Sequence, residues 1–158
     1  MKTIKRRRLE GKTDYNTRVS LLKSDGRAVV RISNRLVLIQ YVKSKESQDS
    51  VIIRANSKEL LEYGWAKEQL GGLKSIPASY LTGYLLGIKL KDKDIKNAVL
   101  DIGLKRNSKG SRVFAAAKGL IDAGIEIPSN KEVFPDEKSI RRKVDIDNIK
   151  QNINKKFK

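Results

Sequence analysis

The order of apolar and polar positions along the chain predicts regular secondary structure. Residues 27–33, 36–42 and 50–55 are β-branched segments separated by short polar turns, a pattern typical of an antiparallel meander of three strands. Alternation along the first strand places Arg31 on the face opposite Ile32. One face of the predicted sheet is therefore expected to be partly polar and basic.

Helices are predicted before and after this meander in the sequence. A short amphipathic helix is expected over residues 15–23, because Thr13 and Asp14 offer side-chain oxygens that can cap its first N–H groups. After the meander, Ser57 can cap a second helix that begins at Lys58.

The second half of the chain predicts the main core helix, a strand and a further helix. Residues 77–91 begin with a proline and then carry apolar residues at helical spacing. Residues 97–102 form a nearly continuous apolar run, which is typical of a buried, central strand. Ser111 can cap a helix over residues 112–123, which Gly124 would terminate.

Charge divides the chain into three parts. Residues 1–8 carry five basic groups and no acid, so residues 1–13 are interpreted as a basic N-terminal arm. Residues 14–128 contain the predicted elements and are interpreted as a single α/β domain. Apolar density falls after this point, and residues 129–158 are predicted to form a basic C-terminal extension, a solvated or RNA-ordered tail that is partly helical.

Composition points to a polyanion as the partner. The 158 residues contain 35 Lys plus Arg against 18 Asp plus Glu, a net charge of +17, yet 39% of them are hydrophobic. Such a surplus repels itself in a folded protein unless an oppositely charged polymer neutralises it. Nucleic acid is the leading candidate, because neutralised phosphates release condensed counterions. A general module for duplex nucleic acid or anionic membrane is the alternative.

Several classes of chemistry are excluded. The chain has no cysteine and no histidine, which removes disulfides, zinc fingers, thiol nucleophiles and histidine catalysis. A metal-dependent nuclease would need clustered carboxylates, but Asp92 and Asp94 alternate with lysines and Asp101 stands alone on its predicted strand. We therefore predict no enzyme activity, no cofactor and no small-molecule substrate.

The sequence also argues against a membrane location. The start MKTIKRRR lacks the apolar segment of a secretory signal, and residues 80–90 fall short of the ~20 residues that span a bilayer. Gly83 and Gly87, one helical turn apart, therefore indicate close packing against another helix of the same protein. A soluble intracellular protein is expected.

Three basic clusters are candidates for the binding surface: the arm, the turn at residues 31–35 and the loop at residues 105–112. In the loop, cations and the N–H groups near Ser111 are expected to converge on one phosphate-sized site. The strands lack the aromatic pairs that stack single-stranded bases, so recognition of RNA shape and phosphates is predicted.

Six blocks, in order between about residue 5 and residue 137, carry a family resemblance. They are residues 8–15 (RLEGKTDY), 62–65 (EYGW), 77–83 (PASYLTG), 100–104 (LDIGL), 109–114 (KGSRVF) and 122–128 (DAGIEIP). Together they resemble the archaeal branch of universal large-subunit ribosomal protein eighteen, whose eukaryotic member is called large-subunit protein five. Members of this family can carry a longer or acidic C-terminus, whereas this sequence ends in a lysine-rich segment.

The resemblance implies a three-layer α/β core with a mixed sheet related to the ribonuclease H motif. It also implies a cytoplasmic place in the central protuberance of the large ribosomal subunit, bound to 5S rRNA, 23S rRNA and neighbouring ribosomal proteins. Nucleases of this architecture need an acidic residue on the first strand, where this chain has Arg31. The resemblance therefore implies a ribosomal structural role without catalysis.

The resemblance implies four RNA-facing elements: the arm at residues 5–8, the stretch at residues 13–18, the turn at residues 31–35 and the loop at residues 105–112. Three of them coincide with the clusters selected from charge. The residues predicted to bind rRNA are Lys5, Arg6, Arg7, Arg8, Tyr15, Arg18, Arg31, Ser33, Asn34, Arg35, Lys105, Arg106, Lys109, Gly110 and Arg112.

Overall fold

A mixed sheet of four strands organises the computed structural model of the chain, which describes residues 6–45, 48–142 and 144–157. The strands are β1 (Arg27–Ile32), β2 (Val37–Lys45), β3 (Gln48–Asn56) and β4 (Val99–Asp101), in the spatial order β3-β2-β1-β4. The pairs β1–β2 and β2–β3 are antiparallel, whereas β4 lies parallel to β1. The predicted meander is confirmed.

The fourth strand lies at an edge of the sheet, so the prediction of a central position is wrong. Only three residues of β4 pair with β1, from Arg27 opposite Val99 to Val29 opposite Asp101. The apolar run is covered instead by the segment around Glu126, whose carbonyl accepts a hydrogen bond from the backbone N–H of Ala98 at 3.0 Å. Backbone pairing with this segment gives residues 96–98 a neighbour beyond the sheet edge, which accounts for an apolar pattern like that of a central strand.

Helices flank the sheet and complete the three-layer core. They are α1 (Arg6–Leu9), α2 (Tyr15–Leu21), α3 (Ile76–Lys91), α4 (Arg112–Asp122), α5 (Glu137–Ile140) and α6 (Ile146–Lys156), with 3₁₀ helices at Ser57–Tyr63, Lys67–Gly72 and Lys131–Val133. None of the described helices is both long and apolar enough to cross a membrane.

Side-chain caps fix the starts of the helices around the meander. Asp14 caps α2 as predicted, because its carboxylate accepts from the backbone N–H groups of Asn16 and Thr17. The helix expected after Ser57 is a 3₁₀ helix, and Asn56 caps it in a capping box with Glu59. The hydroxyl of Ser57 instead accepts from the N–H of Val37 and so ties this helix to β2.

Glycines bring α3 and α4 into backbone contact, which confirms the predicted close packing of α3. A Cβ added to Gly83 would overlap the carbonyl oxygen of Ala116, and one added to Gly119 would overlap the carbonyl oxygen of Tyr80. The two helices therefore form one tight layer under the sheet, and α3 is buried along nearly its whole length.

The C-terminal helix packs on the core, so the prediction of a solvated tail is wrong for this segment. Ile146, Ile149 and Ile153 form a buried apolar stripe at helical spacing on α6. The hydroxyl of Tyr84 on α3 donates to the side-chain carbonyl of Asn154 at 3.1 Å. Because this segment is rich in lysine, its apolar stripe is not apparent from the composition.

The domain boundaries proposed at residues 13 and 128 stay predictions.

Candidate nucleic-acid interface

A groove of about 560 Å³ lies on the sheet face that points away from α3 and α4. We call it the sheet groove. Apolar side chains of the strands, among them Val29, Val42 and Val51, form its floor. Its walls come from α2 on one side and from residues 102–105, which follow β4, on the other.

Cations from distant parts of the sequence meet in the sheet groove. Four of the predicted site residues line it: Arg7 from α1, Arg18 from α2, Arg31 from β1 and Lys105 from the loop after β4. Among the described residues, the lining also includes two further cations and three carboxylates. These additional charged residues are Lys12, Arg27, Asp14, Asp49 and Asp101.

Arginines and aspartates alternate in a line across the sheet groove, which we call the Arg–Asp row. Its members, in spatial order, are Arg18, Asp49, Arg27, Asp101 and Arg31. The closest nitrogen–oxygen distances between successive members are 3.4, 2.7, 3.7 and 3.2 Å. Parallel pairing of β1 and β4 creates the centre of the row, because it places Asp101 opposite Val29, between Arg27 and Arg31.

The environment of Asp49 favours its charged form. Burial alone would raise its pKa, but the hydrogen bond from Ser44 and the hydrogen bond and charge of Arg27 outweigh that effect. Arg18 adds a smaller contribution of the same sign. The pKa of Asp49 therefore lies below its ordinary value.

The lowered pKa of Asp49 predicts a pH-dependent contribution to stability. Because the folded pKa is depressed, the contribution is complete above the unfolded pKa of about 3.9 and disappears as the pH falls through the folded value. Urea unfolding of the wild type and of Asp49→Asn should therefore differ most near neutral pH and converge in acid. A difference that stays constant down to the acid end would contradict this assignment.

The turn between β1 and β2 presents its predicted residues to solvent. The hydroxyl of Ser33 accepts from the N–H groups of Arg35 and Leu36 and donates to the carbonyl of Leu36. Ser33 therefore holds the turn closed. Asn34 and Arg35 are exposed at its tip.

The basic loop does not form the single phosphate-sized site that was expected. Gly110 adopts a φ of +67° and donates its N–H to Val133, which turns the chain away from the sheet groove. Lys105 lines the sheet groove, whereas Arg112 donates to the carbonyl of Lys74 at 3.3 Å. The two ends of the loop thus face different surfaces.

A second groove, of about 1020 Å³, lies where α3 and α4 begin. We call it the helix-start groove. Gly110, Ser111 and Arg112 line it, and Ser111 makes no side-chain capping bond to α4. Its other lining residues are Trp65, Glu68, Gln69, Gly71, Gly72, Lys74, Ser75, Ile76, Pro77, Ser139, Arg142 and Val144.

Of the remaining predicted residues, those that the structure describes line neither groove. Arg6 is exposed on α1 and pairs with Glu10 at 2.7 Å. Lys109 pairs with Glu132 at 3.6 Å. The others in this group are Arg8 and Arg106, which are exposed, Tyr15, which is half-buried at the start of α2, and Lys5, which lies outside the described residues.

Comparison with known proteins decides the family. The family model described as "Ribosomal large subunit proteins 60S L5, and 50S L18" matches residues 1–97 and 89–130. The large ribosomal subunit protein uL18 of Korarchaeum cryptofilum is 50% identical over 137 residues, which cover 86% of this chain and 68% of the relative. The chain belongs to this family.

Other archaeal members show the same degree of similarity. The uL18 protein of Aeropyrum pernix is 46% identical over 138 residues, 86% of this chain and 63% of its own length. That of Methanoculleus marisnigri is 45% identical over 137 residues, 86% of this chain and 76% of its own length. The matched region thus spans about two-thirds to three-quarters of these relatives.

Family membership gives the chain its general role. A member of this family is a structural constituent of the large ribosomal subunit, associated with rRNA and other ribosomal proteins in the cytoplasm, and is not an enzyme. Among the residues that the structure describes, no three His, Cys, Asp or Glu side chains lie together as a metal site requires.

Sequence reasoning missed the centre of the Arg–Asp row. In the sequence, Arg27 is no more than the first residue of a predicted strand, although it has the same parity as Arg31 and must lie on the same face. This alternation along the strand is the signal in the sequence that could have identified Arg27 as part of the site. Asp49 gave no signal, because its position depends on how far β2 and β3 extend beyond the predicted strands.

Proposed function

We propose that the chain binds 5S rRNA through the sheet groove and helps attach it to 23S rRNA in the central protuberance. One observation carries this proposal: Arg7, Arg18, Arg31 and Lys105 come from four separate segments and line one concave surface. Convergence of cations in a groove focuses the electrostatic field and favours a phosphate backbone.

The chemistry of the sheet groove favours recognition of RNA shape. The guanidinium groups of Arg18 and Arg31 present several N–H donors that match phosphate oxygens in a two-point contact. Aromatic residues are absent from the described lining, so base stacking does not account for binding there. Phosphates and ribose hydroxyls therefore carry the proposed contacts.

The helix-start groove supports a contact with a second RNA segment. It shares no described lining residue with the sheet groove and carries Lys74, Arg112 and Arg142 against a single acid, Glu68. Two separate basic surfaces allow one protein to connect two RNA segments, and we assign the helix-start groove to 23S rRNA. The exposed residues of α1, of the turn after β1 and of the loop at 105–109 extend the contacts beyond the two grooves.

Binding and footprinting test the proposed 5S contact. Arg31→Ala should weaken 5S rRNA binding about tenfold, the effect expected for a lost charge-assisted hydrogen bond. The same variant should remove hydroxyl-radical protection from one continuous stretch of 5S rRNA, and Arg106→Ala should remove protection from the stretch beside it. Arg141→Ala is the matched control, since Arg141 is exposed near α5, pairs with Asp147 and lines neither groove.

Competition distinguishes the proposal from general polyanion binding. Unlabelled 5S rRNA should displace labelled 5S rRNA far better than tRNA, random duplex DNA or anionic vesicles. Equal displacement by tRNA would refute the 5S assignment. Equal displacement by duplex DNA or vesicles would support the alternative of a general polyanion-binding module.

A further inference from the structure

Two carboxylates lie in the middle of the surface to which we assign RNA. We propose that Asp49 and Asp101 are positioning residues, which hold Arg18 and Arg31 in the orientation that meets the RNA backbone. This inference rests on the proposed function of the sheet groove. A carboxylate by itself repels phosphate, so its presence there requires a role that outweighs the repulsion.

Asp101 holds Arg31 at two points. The side-chain oxygen Oδ1 of Asp101 accepts from Nη2 of Arg31 at 3.2 Å, and its backbone carbonyl accepts from Nη1 at 3.1 Å. The same Oδ1 accepts from the N–H of Gly103 at 2.8 Å, which fixes the start of the loop that carries Lys105. The carboxylate is only 9% exposed, so any favourable contact that it contributes to RNA binding is made by Arg31 and this loop.

Asp49 does the same for Arg18 at the other end of the row. One oxygen accepts from Arg27 and from the hydroxyl of Ser44, both at 2.7 Å. The other oxygen accepts from Nη2 of Arg18 at 3.4 Å. The second contact is longer, so Arg18 is held less firmly than Arg31.

Arg27 connects the two carboxylates and remains inaccessible itself. Its side chain is 4% exposed, whereas those of Arg18 and Arg31 are 36% and 46% exposed. The Nη atoms of Arg27 face both carboxylates and the hydroxyl of Ser44, whereas its buried Nε has no hydrogen-bond partner in the described structure. The row therefore has a buried centre and two accessible ends.

Holding the side chains of Arg18 and Arg31 in place favours binding of RNA. A free arginine loses rotamer freedom when it grips a phosphate, whereas an arginine already held in place loses less. Replacement of an aspartate by asparagine thus has two opposed effects: it removes a repulsive charge, and it weakens the charge-assisted contact that holds an arginine. The sign of the change in affinity shows which effect dominates.

Affinity for 5S rRNA in three variants tests the proposal. Each of Asp101→Asn, Asp49→Asn and the control Asp92→Asn raises the net charge of +17 by one, and Asp92 is exposed at the end of α3, outside the groove. We expect Asp101→Asn to bind about tenfold more weakly and Asp49→Asn about threefold more weakly, since loss of a charge-assisted contact opposes binding. Asp92→Asn should bind as tightly as the wild type or slightly tighter. Binding of the two groove variants at or above the control would overturn the proposal.

A double-mutant cycle separates positioning from a general structural effect. If Asp101 acts mainly through Arg31, the loss of binding free energy in the double variant Arg31→Ala with Asp101→Asn should fall well short of the sum of the two single losses, and any remainder belongs to the loop that Asp101 fixes through Gly103. Additive losses would overturn the positioning role. Urea unfolding of every variant shows whether any of them fails to fold. Should Asp101→Asn be such a variant, Asp49→Asn and its cycle with Arg18→Ala decide the question, because Asp49 is more exposed.

Binding of 5S rRNA and tRNA by the wild type distinguishes a failure of this inference from a failure of the proposed function. If the wild type prefers 5S rRNA over tRNA but Asp101→Asn binds like Asp92→Asn, the positioning role fails and the proposed function stands. If the wild type shows no such preference, the 5S assignment fails. The same variants and cycle are then measured with total rRNA, where the sign of the change still decides whether the aspartates position the arginines.

Discussion

Raising the monovalent salt concentration from 50 to 200 mM is expected to weaken 5S rRNA binding by a factor on the order of 10³ or more, if six or more phosphates are contacted. Arg7, Lys12, Arg18, Arg31 and Lys105 line the sheet groove and are not fully buried, and the exposed turn and loop add Arg35 and Arg106. Each neutralised phosphate releases condensed counterions, so the logarithm of the affinity should fall linearly with the logarithm of the salt concentration.

Fluorescence anisotropy at a series of salt concentrations measures this slope. Arg31→Ala should reduce the slope by about one, because one phosphate contact is removed. Arg141→Ala should leave the slope unchanged. An affinity that barely responds to salt would be incompatible with an interface built on arginine and lysine.

Replacing Gly119 of α4 by alanine is expected to lower the free energy of unfolding by about 3 kcal/mol, at the upper end of the usual effect of overpacking. The added Cβ would overlap the carbonyl oxygen of Tyr80 and press on the backbone nitrogen of Tyr84. Both contacts are with the backbone of α3, which cannot rotate away as a side chain can. The two helices must therefore separate along their contact.

Thermal unfolding followed by circular dichroism measures the effect of this substitution. A loss of about 3 kcal/mol corresponds to a lower melting temperature by roughly 10 °C in a domain of this size. Gly71→Ala is the matched control, since a Cβ at Gly71 meets no atom within 4 Å. Equal melting temperatures for the two variants would show that the α3–α4 contact can relax.

Local signals in the sequence were sufficient for most of the fold. The three strands of the meander, the cap at Asp14, the core helix that begins near Pro77 and the glycine that ends α4 each depend on residues within a few positions. Gly83 gave a further correct signal, because a small residue inside an apolar helix indicates a close neighbour.

The errors concern features that depend on residues far apart in the sequence. An apolar run cannot distinguish a strand between two others from an edge strand covered by the segment at residue 126. In α6, lysine and asparagine dominate the composition, and the isoleucine stripe becomes meaningful only once α3 offers a surface for it. Average charge density is thus a poor guide to burial when three residues carry the packing.

The candidate site shows the same division between local and distant information. Charge selected Arg7, Arg31 and Lys105, the family resemblance added Arg18, and the structure brings all four into one groove. Charge alone also selected Arg112, but the turn at Gly110 directs it to the other groove. Only the register of the sheet reveals that arginines of the first group alternate with aspartates.

β4 is the last strand of the sheet in the sequence, so the Arg–Asp row is completed late during synthesis. The meander consists of contiguous residues 27–56 and can fold while the rest of the chain is still being made. Asp101 and Lys105 emerge only after the whole of α3. A nascent chain that has passed residue 56 but not residue 101 carries Arg31 without its carboxylate partner, and under the proposed positioning role it is expected to bind RNA more weakly than a chain with the complete sheet.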